Sequence, residues 1–117
     1  MKILLIDDNE SITEMLSKYL TAKGHECIVS NDGRNGLTLI MKTKFDVVLL
    51  DLAMPEFTGI DVIDHLFADG KLKENKIILF TASSITDKDV DELLKKGAYA
   101  CIRKPVKLDV LLKTISE

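Results

Sequence analysis

The sequence predicts an α/β fold, a doubly wound three-layer sandwich made of five βα units. Ile3-Leu4-Leu5-Ile6, Val47-Val48-Leu49-Leu50 and Ile77-Ile78-Leu79-Phe80 are unbroken apolar runs. Strands that are apolar on both faces belong to a parallel sheet covered by helices on either side. Between these runs the apolar residues recur at helical spacing, so strand and helix alternate along the chain.

The first strand is followed by Ile12, Met15, Leu16, Tyr19 and Leu20. They fall on one stripe of a helix that Asn9 or Ser11 caps. Glu26-Cys27-Ile28-Val29 is a weaker second strand, and Leu37, Ile40 and Met41 form a shorter stripe after Asp32-Gly33. Behind the third strand, Ile60, Ile63, Leu66 and Phe67 repeat the helical spacing after Thr58-Gly59. Behind the fourth, Thr86-x-x-Asp89 resembles a capping box with Asp in place of Glu. It opens a helix that ends at Lys95-Lys96-Gly97, where glycine takes the left-handed cap. Ala100-Cys101-Ile102-Arg103 is the last strand, and Leu108, Leu111, Leu112 and Ile115 form the last stripe. Connections are short and no linker, repeat or low-complexity segment interrupts them, so one domain is expected to fill residues 1–117.

Composition narrows the function. The chain has 117 residues, 46% hydrophobic and 30% charged, which is the balance of a soluble globular protein. A net charge of −3 gives no electrostatic reason to expect direct nucleic-acid or anionic-membrane binding. No apolar run approaches the ~20 residues that span a bilayer, and the N-terminus lacks the cleavage site of a signal peptide. Cys27 and Cys101 are expected as buried, reduced thiols of a cytoplasmic protein. His25 and His65 have no third metal ligand beside them and read as ordinary histidines. Met15, Met41 and Met54 read as core or loop packing. The mixed charges from Asp87 to Lys96 read as a solvated helix face.

The chemistry lies at the strand ends. After the first strand comes Asp7-Asp8-Asn9, the third leads into Asp51, the fourth into Thr81-Ala82, and the fifth into Lys104-Pro105. In a parallel sheet these ends lie along one edge, where polar sites collect. Three carboxylates, a hydroxyl and an ammonium should therefore converge. At ~4 Å and an effective dielectric near 20, each like-charge carboxylate pair costs about 4 kcal/mol. Such a site needs cations. Lys104 is one, and Mg²⁺, which prefers one or two carboxylates with water and phosphate oxygens, suits the rest. With Asp51 as nucleophile, these are the parts that phosphoryl transfer requires.

Asp7-Asp8, Asp51 followed by Leu52-Ala53-Met54-Pro55 and Gly59, Thr81-Ala82, and Gly97-Ala98 before Lys104-Pro105 together resemble the response-regulator receiver family of two-component signalling. The match runs from Lys2 to the last helix. The resemblance implies a flavodoxin-like sheet of strand order 2-1-3-4-5, an order carried over from such folds. It implies that Asp51 accepts a phosphoryl group from a sensor histidine kinase or phosphotransfer protein. Asp8, Asp51 and the backbone carbonyl of Ala53 would bind Mg²⁺ (or Mn²⁺), with Asp7 acting through water. Thr81 would hydrogen-bond the phosphoryl group and move with it, Lys104 would pair with its oxygens, and Lys104-Pro105 would be a cis peptide. The output would be a conformational change of the face formed by the fourth helix, fifth strand and fifth helix. The protein would be a signalling switch rather than an enzyme, catalysing only its own phosphoryl transfer and slow dephosphorylation. A monomer or a phosphorylation-promoted dimer is expected. No output domain is apparent after the last helix, so the chain would act through a partner or as a piece of a longer one.

Two departures from the family bear on mechanism. The family's aromatic residue three positions before the lysine is Cys101 here, too small to report a pocket opening by rotating. Coupling is then weaker than usual, or Tyr99 partly substitutes. Ala53 and Ser83, with Ala82 beside Thr81, hold positions that modulate hydrolysis. Ala53 and Ser83 carry no carboxylate or carboxamide to steer a water, so a long-lived phosphoryl group is expected. Rival readings fare worse. An FMN or nucleotide site would need Gly, Ser or Thr donors where Asp7, Asp8, Asn9 and Glu10 stand. An aspartyl-phosphate phosphatase would need Asp-x-Asp after the first strand. The remaining alternative is a phosphorylation-independent, receiver-like scaffold that binds proteins.

Overall fold

The computed structural model describes residues 1–82 and 85–117. Five strands and five helices alternate: β1 (Lys2–Ile6), α1 (Glu10–Ala22), β2 (Glu26–Ser30), α2 (Gly33–Lys42), β3 (Val47–Asp51), α3 (Gly59–Ala68), β4 (Ile77–Thr81), α4 (Asp87–Lys96), β5 (Ala100–Arg103) and α5 (Leu108–Ser116). The strands form one parallel sheet of order β2-β1-β3-β4-β5. The doubly wound, flavodoxin-like fold expected from the sequence is the fold observed.

The unbroken apolar runs are explained by the two cores they serve. Leu4, Ile6, Val48, Leu50, Ile77 and Leu79 face α2, α3 and α4, packing against Ile40, Val62, Ile63, Leu66 and Leu93. Their neighbours Ile3, Leu5, Val47, Leu49, Ile78 and Phe80 face α1 and α5, packing against Leu16, Leu20, Leu111 and Ile115. Alternation along a strand sends successive side chains to opposite faces, so a sheet covered on both sides has no position for a polar residue until its strands end.

The helix starts follow their side-chain chemistry. Asn9, not Ser11, caps α1 by accepting the Ile12 N–H at 3.2 Å. Thr86 Oγ1 accepts the Asp89 N–H at 3.1 Å, but the full reciprocal capping box forms at α3, between Thr58 and Asp61. Gly97 closes α4 with φ of 138°, a backbone state that L side chains rarely adopt.

Some expectations are corrected. Met15 and Met41 are exposed, because each sits at the outer edge of its helical stripe, and only Met54 is in the core. Ile60 and Phe67 are exposed for the same reason, Val62 taking the inward position in α3. Cys27 and Cys101 are half-buried rather than buried, though burial still pushes both thiols up.

One packing contact ties the fold to the site. A methyl group at Gly59 would run into the carbonyl oxygen of Asp51 and would lie 2.7 Å from Leu52 Cα. Only glycine lets the N-terminus of α3 approach the end of β3 this closely, and the Gly59 N–H donates to the Leu52 carbonyl at 3.3 Å. Gly59→Ala should therefore lower the unfolding free energy by about 1–3 kcal/mol, measured by urea denaturation. Unchanged stability would show that α3 can move away without loss.

Candidate phosphoryl-acceptor site

Register brings the polar residues together. Ile6 pairs with Leu50, so the next residues, Asp7 and Asp51, emerge side by side from β1 and β3. Asp51 pairs with Phe80, which puts Thr81 one step further along the same edge, and Thr81 pairs with Arg103, the residue before Lys104. The Lys104 N–H donates to the Thr81 carbonyl at 2.7 Å. The Lys104–Pro105 peptide is cis.

One carboxylate oxygen from each of Asp7, Asp8 and Asp51 lies within 4.8 Å of the others. Asp7 and Asp51 are each only 2% exposed, whereas Asp8 is open to solvent. Lys104 Nζ stands 3.1 Å from Asp7 Oδ2 and 3.5 Å from Asp51 Oδ1. It also sits 4.8 Å from the centre of the Phe80 ring, whose face holds the ammonium against the acidic pair. Backbone donors steady the carboxylates: the Asn9 N–H reaches Asp7 Oδ1 at 2.9 Å, and the Ala53 N–H reaches Asp51 Oδ1 at 3.3 Å. Thr81 is buried beside them, Ala82 is half-buried and Ala53 is exposed.

The charges do not balance. Burial first, and then the neighbouring charge of Asp7, push the Asp51 carboxyl up to about 6, against the opposing pull of the Ala53 N–H and Lys104. An all-oxygen donor set with surplus negative charge, open on the Asp8 side, fits a hard divalent cation such as Mg²⁺.

The structure thus draws together Asp7, Asp8, Asp51, Thr81 and Lys104, and it separates Tyr99 from them. Tyr99 precedes β5, and its N–H donates to the Ile77 carbonyl at the starting end of β4. At about 3.3 Å per strand residue, it lies more than three residues' length below the Thr81–Arg103 pair. Its exposed ring faces Lys76 at 4.4 Å, with the hydroxyl 3.5 Å from Glu117. The idea that Tyr99 substitutes for the missing aromatic is corrected on that geometry. Cys101 pairs with Leu79, two residues before Thr81. Ser83 lies outside the described residues.

Sequence reasoning misses one group. Asn31, at the tip of β2, donates through Nδ2 to the Asp7 carbonyl at 2.8 Å and to Thr13 Oγ1 at 3.1 Å. The rule that polar groups gather at strand tips applies to β2 as well, and it could have found Ser30-Asn31 behind that weaker strand.

Comparison with known proteins agrees with this geometry. Residues 3–116 match the response regulator receiver domain family. The DNA-binding response regulator MtrA of Mycolicibacterium paratuberculosis is 40% identical over 106 residues, covering 91% of this chain and 45% of MtrA. The receiver domain of the Francisella response regulator 1452 superposes with a TM-score of 0.89 at 26% identity, covering 98% of this chain and 93% of that one. The response regulator TrrA of Thermotoga maritima, solved in complex with Mg(2+)-BeF, superposes with a TM-score of 0.83 at 27% identity over 98% of this chain and 96% of its own.

The chain spans about half the length of the curated relatives it matches. The expectation of no nucleic-acid partner is overturned by them, because MtrA is a DNA-binding regulator. A charge of −3 describes these 117 residues and does not bear on contacts made by other parts of such a protein. No helix among the described residues is long and apolar enough to cross a membrane.

The raised Asp51 carboxyl has a measurable consequence. The folded chain holds this proton more tightly than the unfolded chain does, so the stabilisation is present below the usual carboxylate range and is lost as pH rises through about 6. In the absence of divalent cations, the melting temperature should fall across that window relative to Asp51→Asn, and Mg²⁺ should restore it. Parallel pH profiles for the two proteins would contradict the assignment.

Proposed function

The chain belongs to the response regulator receiver domain family, the receiver of a two-component system, and from that premise we propose that it is a phosphorylation-controlled switch whose acceptor is Asp51. The observation that carries this reading is the buried Asp7–Asp51 pair meeting a single lysine beside the exposed Asp8. The donor is a phosphorylated histidine of a sensor kinase or phosphotransfer protein in the cytoplasm. An oxygen of the Asp51 carboxylate attacks phosphorus, the P–N bond breaks, and the imidazole leaves and takes up a proton.

The residues divide the work. Asp51, Asp8 and the Ala53 carbonyl would hold the cation, with Asp7 acting through water, and Lys104 would pair with phosphoryl oxygens that replace part of its contact with Asp51. When bound, Mg²⁺ (or Mn²⁺) neutralises charge on the transferring phosphoryl group. The Thr81 hydroxyl moves to that group and draws the start of α4 with it, shifting a two-state equilibrium of the α4–β5–α5 face. A methyl at Ala53 gives a hydrolytic water no carboxylate to orient it, so the acyl phosphate is long-lived. In a longer protein of the MtrA kind, the switch controls a DNA-binding effector.

Incubation with acetyl phosphate and Mg²⁺ should add one phosphoryl mass to the chain and none to Asp51→Asn, read by intact mass spectrometry. Labelling of both proteins alike would place the acceptor elsewhere. Because Cys101 is too small to follow Thr81, Cys101→Tyr should enlarge the phosphorylation-induced NMR shifts across α4 and α5. Identical shifts in the two proteins would remove Cys101 as the limit on coupling.

A further inference from the structure

We propose that Asn31 is a positioning residue for the divalent-cation site, setting the orientation of the Asp7–Asp8 peptide and, through it, the reach of the Asp8 carboxylate. This role rests on the functional reading of Asp51 and extends it to a residue outside the acidic cluster.

Asn31 stands where a ladder ends. β1 and β2 pair in parallel as far as Ile6 and Ser30, and the Asp7 N–H adds one more bond to the Ser30 carbonyl at 3.2 Å. The Asp7 carbonyl would next need a backbone donor further along β2, but the chain turns away there. Asp32 instead caps α2, accepting the Asn35 N–H at 2.7 Å. The Asn31 side chain supplies the missing donor. Its amide bonds the Asp7 carbonyl at 2.8 Å with one hydrogen and Thr13 Oγ1 at 3.1 Å with the other. Thr13 is buried, and its own hydroxyl proton points to the Glu10 carbonyl at 3.2 Å, so the face it offers Asn31 is an acceptor. The turn that carries Asn31 is braced in its own right: Ser30 Oγ donates to the Asp32 carbonyl and accepts from Asn35 Nδ2, each at 2.9 Å.

Asp8 depends on this more than its neighbours do. The Asp7 and Asp51 carboxylates are buried and held by backbone N–H groups and Lys104. The Asp8 carboxylate is exposed and takes part in no hydrogen bond or ion pair among the described residues. Its direction is therefore set by its backbone, and the peptide that precedes it is the one Asn31 holds. If Asn31 loses its amide, water satisfies the Asp7 carbonyl, since Asn31 is itself exposed. The fold survives, but the Asp7–Asp8 peptide gains freedom that has to be removed again when a cation binds.

The test separates cation affinity from folding and from chemistry. NMR titration with Mg²⁺ alone, without a phosphodonor, should show about tenfold weaker binding in Asn31→Ala, with the melting temperature in EDTA unchanged. In the acetyl phosphate reaction, the Mg²⁺ concentration giving half-maximal rate should rise by the same factor while the rate at saturating Mg²⁺ stays at the wild-type value. Thr13→Val, which leaves the bond to the Asp7 carbonyl but removes the second anchor of the amide along with the hydroxyl's own bond to the Glu10 carbonyl, should give a smaller rise in the same direction. Equal Mg²⁺ affinity in wild type and Asn31→Ala overturns the inference and leaves the functional reading intact. A wild-type chain that binds no Mg²⁺ overturns both.

Discussion

Two carboxylates, Asp7 and Asp51, are withheld from water at the ends of adjacent strands, with one ammonium to share. Everything else about the site depends on that constraint. Each carboxylate would be stable in solvent, and either could be neutralised by a lysine of its own. Placed together with Lys104 alone, they leave the Asp51 carboxyl pushed up to about 6, a standing preference for any further positive charge that can reach them. Asp8 supplies the way in, being acidic, close and open to solvent.

The sheet produces this convergence by register rather than by local sequence. Parallel pairing aligns Ile6 with Leu50, Asp51 with Phe80, and Thr81 with Arg103, so residues dozens of positions apart end along one edge. The two hydrophobic layers hold that register, because sliding a strand by one residue would exchange its two faces. Gly59 lets α3 start directly against β3, and Phe80 gives the stem of Lys104 an apolar surface beneath its charge. The rigidity of the acceptor pair is thus a property of the core beneath it.

The region between β4 and β5 is built differently. Cys101 occupies the middle of β5 beside Leu79, and Tyr99 lies at the far end with its ring against Lys76. Arg103 spans the gap instead, donating to the Ile85 carbonyl at 2.9 Å and to Asp87 at 2.7 Å. The start of α4 is therefore joined to β5 by polar contacts from a side chain next to Lys104. Any displacement of Thr81 has to accommodate those contacts, in a chain where no aromatic side chain at position 101 can take up the change.

The sequence by itself determined the architecture and the membership of the acidic cluster. Four-residue apolar runs alternating with helical stripes fit a sheet buried on both faces, and Asp7, Asp8, Asp51, Thr81 and Lys104 are legible because each stands at or just beyond a strand end. Helix caps are nearly legible: Thr58 and Asp61 carry the full capping box that the sequence suggests at Thr86, because the spacing is the same and only packing decides where both bonds close. Exposure at the stripe edges, as at Met15, Met41 and Phe67, depends on the angle at which each helix meets the sheet, which periodicity does not specify. Tertiary structure alone decided that Tyr99 stands away from the site, that Asn31 reaches the Asp7 carbonyl, and that Asp7 is buried while Asp8 is not. These are outcomes of strand register and loop direction, and one residue's shift in either would reverse them. A neighbouring pair of aspartates in a sequence carries no sign of which one the fold will bury.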